Sequence, residues 1–474
     1  MTLAAFKHTI RQAAQNGALG RSVIGDGVMI PGLDGEVPLV YADYVASGRA
    51  LRQVEDFVAG QVLPFYANSH TEASYCGTQM TRLRREARAE IARMTGATGD
   101  DAVIFTGSGA TAGLNRLVSL FGVNEAVRPV VFIGPYEHHS NILPWRESKA
   151  EVVEIPEAAE GGVDLAVLEL ALKQHAGSDL KIGSFSAASN VTGIVTEPDP
   201  ISRLLHAHGA LAVWDYAGGG PYLPIDMGQG GAARKDAVVV SPHKFPGGPG
   251  ASGVLVVNSG AVRRRCPSWP GGGTVSFVSP WQHEYSLDLA TREEAGTPNV
   301  IGDIRAALVF LVKEAVGQEQ IEAREARFAD MAWAGWSGNP HLQILGHRDA
   351  HRLPIFSFLV SDGAGNPVHQ QLFTRMLSDV YGIQARGGCA CAGPYAHRLL
   401  GIGRPESERL FADLKAGEEM KKPGWVRLNF SYLMEEETAQ YVIDCVNDLT
   451  RRAGGLAARY NVDPETARFK ALVA

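Results

Sequence analysis

At 474 residues the chain is long enough for two domains, or for one large domain with an appendage. Hydrophobic content of 45% and charged content of 20% are those of a globular protein, and a net charge of −7 argues against general nucleic-acid binding. Five cysteines make no disulfide framework, and no apolar run is long enough to span a membrane. The opening Met1-Thr-Leu-Ala-Ala-Phe-Lys7 lacks the apolar core of a signal peptide, so a cytoplasmic protein is expected.

Residues 4–16 read as a short amphipathic helix and 17–35 as loop. Val37-Pro-Leu-Val-Tyr-Ala-Asp43 reads as a strand, with Pro38 tolerable only at a strand end or an edge. Tyr66-Ala-Asn68-Ser-His70-Thr-Glu72 is open to two readings, a capped helix start or an active-site rim. Cys76 falls in a Gly-containing loop, and the Arg-, Glu- and Ala-rich stretch from Gln79 to Thr95 predicts a helix with charges at i,i+4 spacing. Val103-Ile-Phe-Thr106 is a strand. After it, Gly107-Ser-Gly109-Ala110-Thr111 opens a helix, and a Gly-rich turn feeding a helix N-terminus is a ready phosphate site.

Val130 to Gly134 is the next strand, ending at Glu137-His138-His139-Ser-Asn141. Adjacent histidines at a strand end are poorly placed to share one metal, and no metal is expected. Residues 163–176 are helical. The strand Lys181 to Ser186 leads into Ser189-Asn190-Val-Thr-Gly193, and a helix follows over Ile201 to His208. Ala210-Leu-Ala-Val-Trp-Asp215 is a buried strand that ends in a carboxylate, which alone could be a helix cap.

The run Asp236-Ala-Val-Val-Val240 reads as a buried parallel strand and delivers Ser241-Pro-His243-Lys244, followed by a loop half made of Gly and Pro. A lysine there is either a surface turn residue or a buried amine, and a buried amine can form a Schiff base with an aldehyde cofactor. Ser-x-His-Lys, with the other segments quoted, resembles the class V aminotransferase family in its cysteine desulfurase and selenocysteine lyase branch. The similarity runs from about Tyr41 to Leu449.

That resemblance implies an α/β protein of the pyridoxal-phosphate fold type I, with a mostly parallel seven-stranded sheet flanked by helices and a smaller α+β domain. The expected divisions are an N-terminal helix and loop (1–35), a large cofactor domain (36–316) and a small C-terminal domain (317–474). It also implies pyridoxal 5'-phosphate on Lys244, His138 stacked on the ring and moving protons, and Asp215 keeping the pyridine nitrogen protonated. The phosphate falls to Gly109, Ala110 and Thr111, with Ser241 and His243 beside it. Asn190 serves both the ring's phenolic oxygen and the substrate, and Ser47 and His70 line the substrate. Thr297, in Glu294-Ala-Gly-Thr297, reaches the phosphate of the other subunit, so a homodimer is implied. The family commonly has Gln or His where Gly218 stands, so a hydrogen bond to the ring oxygen is missing there.

In Arg386-Gly-Gly-Cys389-Ala-Cys391 the family's spacing makes Arg386 the binder of the substrate carboxylate and Cys391 the nucleophile toward sulfur. Cys389 is an extra thiol, and Cys-x-Cys is also open to reading as a metal half-site or a redox pair. The expected activity is removal of sulfur or selenium from cysteine or selenocysteine to give alanine, through a cysteine persulfide that a sulfur-acceptor protein could take. The alternatives are a C–S lyase, a kynureninase-like hydrolase, an epimerase or an aminotransferase acting on another amino acid.

Overall fold

The structure, a computed structural model, describes residues 2–69, 72–228 and 231–472. It divides into two compact units. The first comprises Met1–Val23, Ser47–Ala188 and Val195–Gln318; the second comprises Ile24–Ala46, Ser189–Ile194 and Glu319–Ala474.

The first unit is built on seven strands: β1 Asp101–Gly107, β2 Pro129–Ile133, β3 Glu151–Glu154, β4 Leu180–Ser186, β5 Leu211–Asp215, β6 Ala237–Val240 and β7 Gly253–Asn258. Their order across the sheet is β1-β7-β6-β5-β4-β2-β3. All neighbouring pairs from β6 to β3 are parallel, while β7 is antiparallel to both β1 and β6. Six strands therefore point one way. The Val- and Ile-rich β2, β6 and β7 are buried along their whole length, as a sheet covered on both faces requires. One face packs the helix Gly109–Leu120 through Leu114, Leu117 and Leu120 against Val239 and Leu255. The helix Val300–Val316 is apolar on nearly every side and buried accordingly, beside the helices Leu3–Gln15 and Tyr75–Met94.

The second unit holds a four-stranded sheet made of β8 Leu342–Ile344, β9 Ile355–Val360, β10 Arg386–Gly388 and β11 Trp425–Asn429, in the order β8-β9-β11-β10. The helices Gln370–Tyr381 and Glu436–Ala457 close its core. The second contributes Ala439, Val442, Ile443, Val446 and Leu449, a stripe at three- and four-residue spacing.

Three sequence expectations need correction. The stretch 17–35 is not all loop: Met29–Gly32 pairs antiparallel with Gly35–Pro38, and Pro38 ends its strand. The expected strand Val37 to Asp43 is split, its second part being Val40–Tyr41, which pairs parallel with Ile383–Gln384. Cys76 lies in the first turn of Tyr75–Met94, because Ser74 caps that helix by accepting from Gly77 N–H at 3.2 Å.

Candidate active site

Parallel strands end together, so the first unit gathers its chemistry along one sheet edge. Ser186 registers with Asp215 and Asp215 with Val239, which places the ends of β4, β5 and β6 side by side. Beyond β6 the chain makes a single tight turn, Pro242–Lys244, closed by Lys244 N–H on the Ser241 carbonyl at 3.0 Å. The Ser47-Gly48 segment lies on this turn, with Gly48 N–H donating to the His243 carbonyl at 2.9 Å. A Cβ at Gly48 would overlap the Phe245 carbonyl, so only glycine allows this approach.

Asp215 is 3% exposed. Burial raises its carboxyl pKa, opposed by the Ala217 N–H, bonded at 2.7 Å, and by the nearby Lys244 charge. The arrangement favours a proton or cation at Asp215. His243 is pushed the other way, to about 4, by burial and then by Lys244, and is neutral near pH 7.

The turn into Gly109–Leu120 abuts the same residues. Gly109 has φ of 64°, and a Cβ there would stand 2.8 Å from both the His243 ring and Ser241 Oγ. Ser241 Oγ accepts from Ala110 N–H at 2.9 Å, and no side chain of Ser108 caps the helix. Thr111 Oγ1 meets Ser140 Oγ at 2.7 Å, and Ser140 meets His138 Nδ1 through both its N–H (3.1 Å) and its hydroxyl (3.0 Å). Because a backbone N–H can only donate, Nδ1 is the acceptor and the neutral ring carries its proton on Nε2.

Sequence reasoning missed what holds this loop. Glu137 is buried and accepts from Ser186 Oγ (2.6 Å), Ser186 N–H (2.9 Å), Asn141 Nδ2 (2.5 Å) and Gly134 N–H (3.2 Å). Burial raises its carboxyl to about 7, against the pull of the Ser186 and Asn141 bonds. Asn141 Oδ1 in turn accepts from Ser184 and Trp145, which ties the His138 loop into the end of β4.

Thr297 is exposed, on a loop anchored by Glu294. Glu294 pairs with Arg84 and Arg88 and accepts from Phe105 N–H at 2.7 Å. Burial alone would raise its carboxyl, but Arg88 and Arg84 hold it below its ordinary value. Asn68 lies in an irregular segment before the helix Tyr75–Met94, and His70 falls outside the described residues.

The second unit carries the remaining candidates. β10 and β11 pair so that Arg386 stands opposite Arg427. Two like charges directly across a strand pair repel, and Asp43 resolves the conflict by accepting from Arg386 Nε at 3.0 Å and from Arg427 Nη2 at 2.7 Å. Arg427, 3% exposed, is the buried member, and Arg386 is the more accessible one. Burial lowers the Arg427 pKa; Asp43 opposes this, while Arg386 adds to it. Arg427 also donates to the Asn190 carbonyl at 3.0 Å, and among the described residues its Nε has no hydrogen-bond partner. Among the described residues, two guanidiniums share this one carboxylate, which leaves one positive charge in excess.

Asn190 gives its side-chain N–H to the Ala390 carbonyl at 2.8 Å and leaves a buried Oδ1 with no hydrogen-bond partner among the described residues. Ala390 and Cys391 have φ of 52° and 55°, and Ala392 N–H closes the turn on the Cys389 carbonyl at 3.1 Å. Non-glycine residues in that region cost about 1–3 kcal/mol each, so the turn is held by its surroundings. Cys391 is exposed and Cys389 half-buried. Among the described residues no group of three or more His, Cys, Asp or Glu is placed to hold a metal.

The profile of the aminotransferase class-V family matches residues 40–440. A probable cysteine desulfurase of Vibrio cholerae is 30% identical over 362 residues, covering 75% of this chain and 85% of that protein. One from Halalkalibacterium halodurans is 29% identical over 376 residues, covering 77% and 88%. The apo structure of a cysteine desulfurase from Thermococcus onnurineus NA1 superposes with a TM-score of 0.71 at 22% identity, over 87% of this chain and 94% of that one, and shows the fold to be shared.

Proposed function

This chain belongs to the class V aminotransferase family, and from that premise we propose that it is a pyridoxal-phosphate-dependent cysteine desulfurase, which takes sulfur from L-cysteine and releases alanine. Selenocysteine would be handled by the same residues with selenium as the leaving atom.

The donor set of the first unit suits the cofactor. The buried Asp215 carboxylate needs a positive partner, and a pyridinium N–H supplies one. The turn at Gly109, Ala110 and Thr111, with Ser241 and His243 beside it, offers N–H and O–H groups to a phosphate, and a side chain at residue 109 would fill that space. When bound, pyridoxal phosphate supplies an aldehyde for the Lys244 amine and a ring that accepts electrons. Lys244 Nζ then serves to take the proton from the substrate Cα, and His138 Nε2 holds a proton for delivery.

The observation that carries the sulfur chemistry is the cluster on β10 and β11. Arg386 and Arg427 share Asp43 and retain one surplus positive charge, which suits the substrate carboxylate, and Cys391 lies within reach of the Arg427 charge. The exposed Cys391 thiol is then the nucleophile toward the substrate sulfur. Arg427 thereby joins Arg386 as a carboxylate binder. With L-cysteine, the cofactor-loaded protein should form alanine and carry sulfur on Cys391. Cys391→Ser should lose alanine formation from cysteine yet keep it from selenocysteine. Pyruvate and ammonia in place of alanine would sink the reading in favour of a C–S lyase.

A homodimer is part of the proposal. The hairpin Val275–Val278 and His283–Tyr285 exposes Phe277 and leads into Trp281 (90% exposed) and Leu287 (92%), apolar surface that a second copy would cover. Trp281→Asp should shift sedimentation of the full chain toward the monomer; an unchanged dimer would remove the hairpin from the interface. No helix among the described residues is long and apolar enough to cross a membrane.

A further inference from the structure

The desulfurase reading gives Cys391 a task and leaves Cys389 without one. Cys389 and Cys391 are the first and third residues of one hydrogen-bonded turn, closed at 3.1 Å between the Cys389 carbonyl and Ala392 N–H. Both central residues have positive φ, which makes it a mirror-image turn. A turn of this kind folds the chain back on itself and keeps both cysteines in one short loop, where extended backbone would hold them farther apart. Neither Ala390 nor Cys391 adopts that conformation for lack of a Cβ, so the turn is imposed. The Asn190 amide, bonded to the Ala390 carbonyl at 2.8 Å, is one of the contacts that impose it. The remaining cysteine of this unit, Cys445, is buried in the core beside Val442 and Val446.

We propose that Cys389 is a resolving thiol: it attacks a persulfide on Cys391, closes a Cys389–Cys391 disulfide and expels the outer sulfur as sulfide. The balance is complete. The bond from Cys391 Sγ to the outer sulfur breaks, and the bond between the two cysteine sulfurs forms. The outer sulfur is reduced to sulfide by the two electrons that the cysteine sulfurs give up, and it leaves with the Cys389 thiol proton. A dithiol reductant must then reopen the pair before Cys391 can take another sulfur. The chain would thus release inorganic sulfide in step with a dithiol supply, without needing a sulfur-acceptor protein. The inference rests on the desulfurase reading for the source of the sulfur, though not for the exchange itself.

The test keeps those two apart. Full-length protein, reduced and freed of reductant, is treated in one arm with inorganic polysulfide, which can load Cys391 without any amino acid, and in the other with L-cysteine. The tryptic peptide Gly387–Arg398 holds both thiols and no other cysteine, so its mass reports the outcome. In both arms wild-type protein should release sulfide and show this peptide lighter by two hydrogens, reversed by dithiothreitol. Cys389→Ser should instead keep one extra sulfur on Cys391, with sulfide release lowered about tenfold or more. Cys389→Ala serves as a second variant should the first fold poorly. Wild-type peptide that retains the added sulfur, with Cys389 still open to alkylation, overturns the proposal. Absence of alanine in the cysteine arm, with disulfide formed in the polysulfide arm, overturns the desulfurase reading and leaves the resolving thiol standing.

Discussion

Replacing Lys244 with alanine is expected to cut alanine formation from L-cysteine by about 10²- to 10⁴-fold, the range lost when a positioned proton-transfer group is removed. The fold should tolerate the change. The turn Pro242–Lys244 is closed by main-chain bonds, Lys244 N–H to Ser241 and Gly48 N–H to His243, which the substitution leaves intact. Lys244→Arg is the sharper variant. It keeps a cation near Asp215 but presents a guanidinium that does not lose its proton near neutral pH and cannot serve as an amine. Turnover that stays within tenfold of wild type in either variant would remove Lys244 from the chemistry.

The second large effect is expected at Asp43, a residue to which local sequence pattern assigns no role. Asp43→Ala leaves Arg427 buried without its carboxylate and facing Arg386 across the strand pair. Breaking a buried ion pair from one side costs about 3–5 kcal/mol, to be read from urea denaturation. Arg427→Ala should differ in kind. Asp43 then still has Arg386, so the stability loss is smaller, while the KM for L-cysteine rises about 10- to 100-fold as a charge-assisted bond to the carboxylate is lost. If the two variants prove equally unstable with the same KM, Arg427 is a packing residue and the surplus-charge argument fails.

Much of the first unit is legible in the sequence because its strands are runs of β-branched residues with chemistry at their ends. Asp236 to Lys244 announces a buried strand and a tight turn through its Val run and the Pro that follows. β3, Glu151–Glu154, is not legible, being a short edge strand with a carboxylate at each end and no apolar run to mark it. The hairpin of Met29–Gly32 and Gly35–Pro38 is hidden by Pro31, Pro38 and Gly32, residues that read as loop. Arg427 stands in the middle of Trp-Val-Arg-Leu-Asn, where an interior arginine is a signal in itself. Its meaning requires Asp43, a partner 384 residues away in the chain, and pairing at that range follows no local period. Glu137 belongs to a recognisable motif, but the Ser186 hydroxyl that gives it a task comes from another strand. Local pattern locates the reactive groups, and the contacts that hold them come from topology.

The claim on which the account turns is the covalent seat of the cofactor at Lys244. Borohydride reduction of the protein loaded with pyridoxal phosphate, followed by peptide mass mapping, tests it most directly. The reduced pyridoxyl group is expected on Lys244 Nζ, with loss of the visible absorption band. A label on another lysine, or a protein that stays unlabelled and colourless with added cofactor, would contradict it.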